Sequence, residues 1–211
     1  VTGPAVIAGV VLAAGSSSRL GGDTPKQLLM LNGRTLVQHA LDAVAGAGLD
    51  PIVVVLGFRA DDVERALILP SGPRTMVVRN PAFAAGQASS VAVGLDALGP
   101  QVEAAVVVLG DQPELPSRHV RRIVDGYRTT GRPIVRARYP GGVPGHPVLL
   151  AREVWPRVRA LRGDAGARRV MDDEPDLVTE VSFDTPAPQD IDTTQQYQAA
   201  LERAARRPLD M

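Results

Sequence analysis

The chain contains no cysteine. That excludes disulfides, thiolate catalysis and thiolate zinc sites, and it is compatible with a reducing cytosol. Aromatic residues are almost as scarce, with one Trp, three Tyr and three Phe in 211 residues. A surface that stacks single-stranded bases needs more of them, so nucleic acid is not expected as a partner. Net charge is absent too: Lys plus Arg number 23 and Asp plus Glu number 23. The balance removes the electrostatic case for general nucleic-acid or acidic-membrane binding and confines any anion site to a local cluster. No apolar run approaches the roughly 18–20 residues of a membrane span. The apolar stretch near the N-terminus has no basic segment before it and runs into a glycine loop. It is expected to be a core strand and not a signal peptide, which points to a cytoplasmic protein.

What is present is an alternation of strand and helix signals. Ile7–Ala13, Ile52–Leu56, Thr75–Arg79 and Ala104–Leu109 are apolar runs of strand length. Runs without polar alternation suit a parallel sheet covered on both faces. Between them, residues 35–47, 60–69 and 89–98 carry helical spacing, with Thr35 as an N-cap and Ser89 and Ser90 marking a helix start. Ala104–Leu109 is the most apolar strand and belongs near the sheet centre. Further on, 117–127 is expected to be helical with Ser117 as its cap, and 133–137 a strand. Residues 139–147 hold three glycines and three prolines, which predicts a mobile connection before a short strand at 147–150 and a helix near 152–158. Residues 163–168 are expected to form a second polar loop, 178–183 a strand and 194–206 the last helix. The pattern is α/β, with a mostly parallel central sheet and helices on both faces. No repeat or long biased linker divides the chain, so 1–211 is expected to be a single domain.

In such sheets ligands sit beyond the carboxyl ends of the strands. The first strand ends in Ala13-Ala14-Gly15, and the loop that follows carries Ser16, Ser17, Ser18, Arg19, Gly21, Gly22 and Lys26. Small residues leave backbone N–H groups open to an anion, and Arg19 and Lys26 add positive charge, a combination that suits a polyphosphate. The spacing matches neither a Walker loop nor a dinucleotide fingerprint. Asp111, directly after the central strand, is a candidate ligand for a hard cation such as Mg²⁺. Asp190 and Asp192 flank Ile191; one is expected to cap the last helix and one to bind the cation, with Asp192 preferred. Asn80, Gly86, Ser89 and Ser90 form a polar group at a helix start that suits a nucleobase edge. His146 stands between Gly145 and Pro147, and Asp164 and Arg168 lie in a glycine-containing loop. These are candidates for contact with a second, anionic substrate.

The segment Leu12-Ala13-Ala14-Gly15-Ser16-Ser17-Ser18-Arg19-Leu20-Gly21, followed by Pro25-Lys26-Gln27, resembles the signature of the nucleotidyltransferases that share a Rossmann-like fold. Asn80-Pro81, Leu109-Gly110-Asp111-Gln112-Pro113, Gly145-His146-Pro147-Val148, Gly163–Arg168 and Asp190-Ile191-Asp192-Thr193 narrow the likeness. Together they resemble the molybdenum cofactor cytidylyltransferases. Pro25–Leu29 also resembles the cytidylyltransferase of methylerythritol phosphate, but Gly110–Pro113 does not match that enzyme's segment.

The resemblance implies that Gly15, Arg19 and Lys26 hold the triphosphate of CTP. Ala13, Ala14, Asn80, Gly86 and Ser90 would face the base, and Asp111 and Asp192 would bind Mg²⁺. His146, Asp164 and Arg168 would face a molybdopterin-type acceptor. Residues 1–115 are then the nucleotide half and 116–211 the acceptor half. A recipient molybdenum enzyme or its chaperone is an implied partner. GTP, a sugar or polyol phosphate, or a non-catalytic cofactor carrier are the alternatives.

Overall fold

The computed structural model describes residues 5–16, 24–163 and 167–206. Arg19 and Asp164, with the serines at 17 and 18 and the glycines at 21 and 22, lie outside them. Among the described residues, the strands of the main sheet are β1 (Val6–Ala13), β4 (Ile52–Leu56), β5 (Thr75–Arg79), β6 (Val102–Leu109), β7 (Ile134–Tyr139), β8 (Val143–Ala151) and β9 (Val178–Ser182). They lie in the order β5-β4-β1-β6-β8-β7-β9, which puts β6 at the centre as its composition predicts. Only β8 runs against its neighbours; the other pairings are parallel. A small hairpin, β2 (Met30–Leu31) and β3 (Arg34–Thr35), stands apart.

Side chains of β1 divide by parity. Ile7, Val11 and Ala13 join one core cluster, and Ala8, Val10 and Leu12 the other, as the two-residue period of a strand requires. Helix α1 (Leu36–Gly46) and α4 (Ser117–Thr130) close the first cluster. On the opposite face, α3 (Gln87–Asp96), α5 (Trp155–Ala160) and α6 (Arg168–Asp173) close the second. Two glycines let the helices approach this closely. A Cβ on Gly9 would lie 2.1 Å from Val44 Cγ1, and one on Gly94 2.5 Å from Val10 Cγ1. Helix α2 (Ala60–Ala66) is shorter than its apolar tail predicts, because Leu67 turns extended and Ile68 is exposed. Helix α7 (Thr194–Arg206) covers a third small cluster of Leu31, Leu36, Ile191 and Ala200.

Several local expectations are corrected. Residues 139–147 are not a mobile connection: Val143–Ala151 is a continuous strand held between β6 and β7. Pro147 fits because the register slips. Arg136 pairs with Val148 and Ala137 with Gly145, so His146 and Pro147 bulge out of the ladder. Arg168–Asp173 forms α6, a helix that the composition of 163–168 does not signal. Ser117 is the first helical residue and caps nothing, since Pro116 precedes it at the cap position. Neither Asp190 nor Asp192 caps α7. Thr193 Oγ1 accepts from Gln196 N at 3.2 Å, and Gln196 Oε1 accepts from Thr193 N at 2.9 Å, a reciprocal capping box.

His119 of α4 is 3% exposed, and its ring centroid lies 4.1 Å from that of Phe183. Burial pushes its pKa down to about 4; Arg118 and Arg122 act in the same direction and Asp184 opposes them. The folded state therefore holds the neutral imidazole while the unfolded chain takes up a proton below the ordinary value of 6.5. Stability is whole above that pH and is lost as pH falls towards 4, by about 3 kcal/mol from this residue. In denaturant titrations between pH 7 and pH 4, His119→Gln is expected to show a shallower loss than the wild type. Parallel curves would mean that His119 does not carry the pH dependence.

Candidate active site

Strands β1 and β6 run parallel in direct register, Leu12 opposite Leu109, and Gly110 N donates to Leu12 O at 2.8 Å. Their carboxyl ends therefore place Ala14-Gly15 beside Asp111. The chain after the glycine loop returns through Pro25 into a 3₁₀ turn, Lys26–Leu28. Gln27, 2% exposed, fixes this return by donating from Nε2 to Gly15 O at 3.0 Å. The turn then points Lys26 into the same corner.

Lys26 Nζ donates to Asp111 Oδ2 and to Asp192 Oδ1, each at 2.5 Å. Asp192 reaches the corner on a strap pinned across the end of β6. Ile191 N donates to Asp111 O at 3.0 Å, Ile191 itself is buried, and Asp190 Oδ1 accepts from Gln112 Nε2 at 2.7 Å. The expected alternation thus holds for Ile191, while the two flanking carboxylates take different partners. Burial pushes the Asp111 carboxyl up; Lys26 opposes this, and Asp190 and Asp192 add to the rise. For Lys26, burial acts downward, but Asp111 and then Asp192 outweigh it and its pKa is raised. The ammonium is held charged between two acids.

The donor set fits a hard divalent cation. Two carboxylate oxygens converge on one point, and the second oxygen of Asp111, Oδ1, is buried without a hydrogen-bond partner among the described residues. Mg²⁺ is commonly held by one or two carboxylates together with phosphate oxygens.

Lys26 and Asp111 line the first of two adjoining cavities. One, of about 120 Å³, is lined by Ala14, Gly15, Lys26, Phe83, Ser90 and Asp111. The other, of about 200 Å³, is lined by Val107, Arg136, His146, Val148, Arg168 and Met171. Gln87, the first residue of α3, lines both. The second cavity exists because β6 and β8 part company. Their ladder ends at Val107 opposite Val148, while β6 runs on to Leu109. The bulged His146 fills the gap, with Nδ1 3.2 Å from Val107 O. A carbonyl only accepts, so Nδ1 carries the proton and Nε2 of the neutral ring is an acceptor. Burial pushes the His146 pKa down, and the Val107 bond opposes it only in part.

The candidate residues thus separate by place. Lys26, Asp111 and Asp192 come together, with Ala14, Gly15 and Ser90 beside them. Ala13 is buried in the ladder opposite Leu56. Asn80 does not line the cavity. Its Nδ2 donates to Ser89 Oγ and Ser90 Oγ at 2.9 Å each, and its Oδ1 accepts from Ala82 N at 2.9 Å. It shapes the start of α3 and fixes Ser90. Gly86, at φ 100°, makes the turn that precedes Gln87. His146 and Arg168 share the second cavity, the latter with an exposed guanidinium 3.7 Å from Asp172. Sequence reasoning missed Gln87 and Arg136. Arg136 and Arg138 alternate with apolar residues in β7, which is a usable signal, and Arg136 is paired with Glu180 at 2.7 Å.

Residues 9–178 match the family described as the MobA-like NTP transferase domain. The chain is 35% identical over 204 residues to nicotine blue oxidoreductase of Paenarthrobacter nicotinovorans, covering 92% of this chain and 96% of that protein. Among solved structures it is similar to Rv0371c of Mycobacterium tuberculosis H37Rv, with a TM-score of 0.82 and 35% identity over 95% of this chain and 100% of that one. That protein has also been crystallised with manganese, a structure with a TM-score of 0.78 and 33% identity over 94% of this chain and 98% of the other. A nucleotidyl transferase from Methanothermobacter gives a TM-score of 0.78 at 26% identity over 95% and 98% of the two chains.

Proposed function

The chain belongs to the MobA-like NTP transferase family, and we propose that it moves CMP from CTP to the terminal phosphate of a molybdopterin-type cofactor, releasing pyrophosphate. The observation that carries this assignment is the corner where Lys26, Asp111 and Asp192 meet, beside a cavity that Lys26 and Asp111 line and that shares Gln87 with a second. One cavity takes the nucleotide and the other the acceptor. An acceptor phosphate oxygen forms the new bond to the α-phosphorus, and the bond from that phosphorus to the leaving pyrophosphate breaks. The attacking phosphate is already ionised near neutral pH, so no general base is required. The protein's task is positioning and charge neutralisation.

Lys26, Arg19 and the Gly15 N–H would neutralise the departing pyrophosphate. Ala14 and Ser90 would border the base, with the Ala13 backbone, Asn80 and Gly86 shaping that wall. Asp111 and Asp192 would hold Mg²⁺, which when bound supplies Lewis-acid charge neutralisation at the phosphates. His146 Nε2 would accept a hydrogen bond from the acceptor, and Arg168, with Asp164, would face its anionic part. The division into a nucleotide half, 1–115, and an acceptor half, 116–211, is not strict, because Gln87, Val91 and Val107 line the acceptor cavity as well. No helix among the described residues is long and apolar enough to cross a membrane. We place the reaction in the cytoplasm, with a molybdenum enzyme or its chaperone receiving the product.

Pyrophosphate release, measured for each NTP against each acceptor, tests the assignment. CTP with molybdopterin cofactor is expected to give the fastest release. Preference for GTP, or for a sugar or polyol phosphate, would move the enzyme to another branch of the same chemistry. Tight cofactor binding without pyrophosphate release from any NTP would make it a carrier.

The likeness to nicotine blue oxidoreductase, which runs over nearly the full length of both chains, favours one other activity. A planar heteroaromatic in the second cavity would be reduced by a nicotinamide donor. Consumption of NADH or NADPH on adding nicotine blue would support that activity, and its absence would remove it.

A further inference from the structure

We infer that Lys26 is a built-in counter-ion whose ammonium occupies the place a divalent cation takes between Asp111 and Asp192, so that cation and nucleotide must enter together. This rests on the assignment of the first cavity to a nucleotide and not on the identity of the acceptor. Nζ lies 2.5 Å from one oxygen of each carboxylate. A Mg²⁺ ion would need about 2.0–2.1 Å to the same oxygens. The two positions overlap, and an ammonium and a divalent cation cannot share them.

Lys26 is only 8% exposed, so no layer of solvent separates it from the acids. Its backbone is held by the 3₁₀ turn after Pro25, and its neighbour Gln27 is tied to Gly15 O. The flexible part is the four-carbon stem. The ammonium also serves the carboxylates incompletely, because Asp111 Oδ1 stays buried and unpartnered among the described residues. A cation with several coordination positions could reach that oxygen as well.

For the cation to enter, the ammonium must find another anion. The same cavity supplies the place for one: Gly15 and Lys26 line it together with Asp111. A triphosphate over Gly15 would draw Lys26 off the carboxylates and open them to the cation. In return, the cation would leave Lys26 available to the phosphates. Each ligand therefore raises the affinity of the other by the same factor. Without nucleotide, Lys26 keeps the acid pair compensated and the cation out.

The test is Mn²⁺ binding, followed by electron paramagnetic resonance of the free ion and by calorimetry, with no acceptor present. Wild type is expected to bind Mn²⁺ weakly alone and roughly tenfold or more tightly with CTP. Lys26→Met is expected to bind Mn²⁺ alone roughly tenfold or more tightly than wild type, and adding Asp111→Asn to it should abolish the gain. Equal Mn²⁺ affinity of wild type and Lys26→Met, or no effect of CTP on Mn²⁺ binding by wild type, overturns the counter-ion role. If Lys26→Met does not fold, the wild-type titrations with and without CTP decide alone. If CTP fails to bind wild type at all, the nucleotide assignment falls, while the comparison without nucleotide still decides the role of Lys26.

Discussion

Asp111→Asn is expected to lower pyrophosphate release by roughly a thousandfold, the scale of losing a preorganised charged group at a phosphoryl or acyl centre. The chain should nevertheless melt at the same temperature or higher. The two effects separate because Asp111 holds its charge against its surroundings. Burial pushes its carboxyl up, and Asp190 and Asp192 add to the strain. Removing one partner of a buried ion pair is ordinarily destabilising, because the other is left uncompensated. Here Lys26 retains Asp192 at 2.5 Å. The backbone carbonyl of residue 111, which accepts from Ile191 N, is untouched by the substitution. Asparagine removes a costly buried charge and keeps the shape, a trade of activity against stability. The checks are initial rates of pyrophosphate release and a thermal melt of the same preparation. Near-normal turnover would remove Asp111 from the cation site. A large drop in melting temperature would make its role structural.

The parts of the site that could be read in the sequence share one property: each is attached locally to the end of a strand. The Gly15 loop follows β1 and Asp111 follows β6, so recognising the strands was enough to place both on one edge. Gln87 and Arg136 carry no such local mark. They matter because two separated segments open onto the same space, and that depends on packing across the sheet. Asn80 misled for the opposite reason. It lies near the base wall, but its polar atoms are taken by Ser89, Ser90 and Ala82.

In the fold, the boundaries of β4 and β5 and the start of α7 follow from composition, because each is flanked by a clear breaker or cap in the sequence. Strand β8 does not. Glycine and proline density argues for a loop, and the pairing of Val143–Gly145 with β7 overrides it at the expense of a bulge at His146. His146 of this bulge lines the second cavity, so the local rule fails at a candidate site.

The second cavity depends on what lies beneath it, and Trp155→Ala is expected to show this by costing about 3–5 kcal/mol of stability. That is a large share of the roughly 5–15 kcal/mol that holds a domain folded. Trp155 is fully buried; its Nε1 donates to Leu150 O at 3.0 Å, and the Arg152 guanidinium lies 4.2 Å above its ring. It packs in one cluster with Val91, Val107, Val148, Leu150 and Met171, all of which also line the cavity. Alanine would leave a hole behind that wall, and the wall would relax into it. The acceptor KM should therefore rise while the KM for CTP changes little, because the first cavity, the one proposed for the nucleotide, shares only Gln87 with the second. Trp155→Phe separates the causes. It retains most of the ring and loses the Nε1 hydrogen bond, which is worth about 1 kcal/mol, so its acceptor KM should stay near that of wild type. Urea titrations and the two KM values measure both effects. Equal rises in the two KM values would mean that the cavities are not supported independently, and that Trp155 acts on the sheet as a whole.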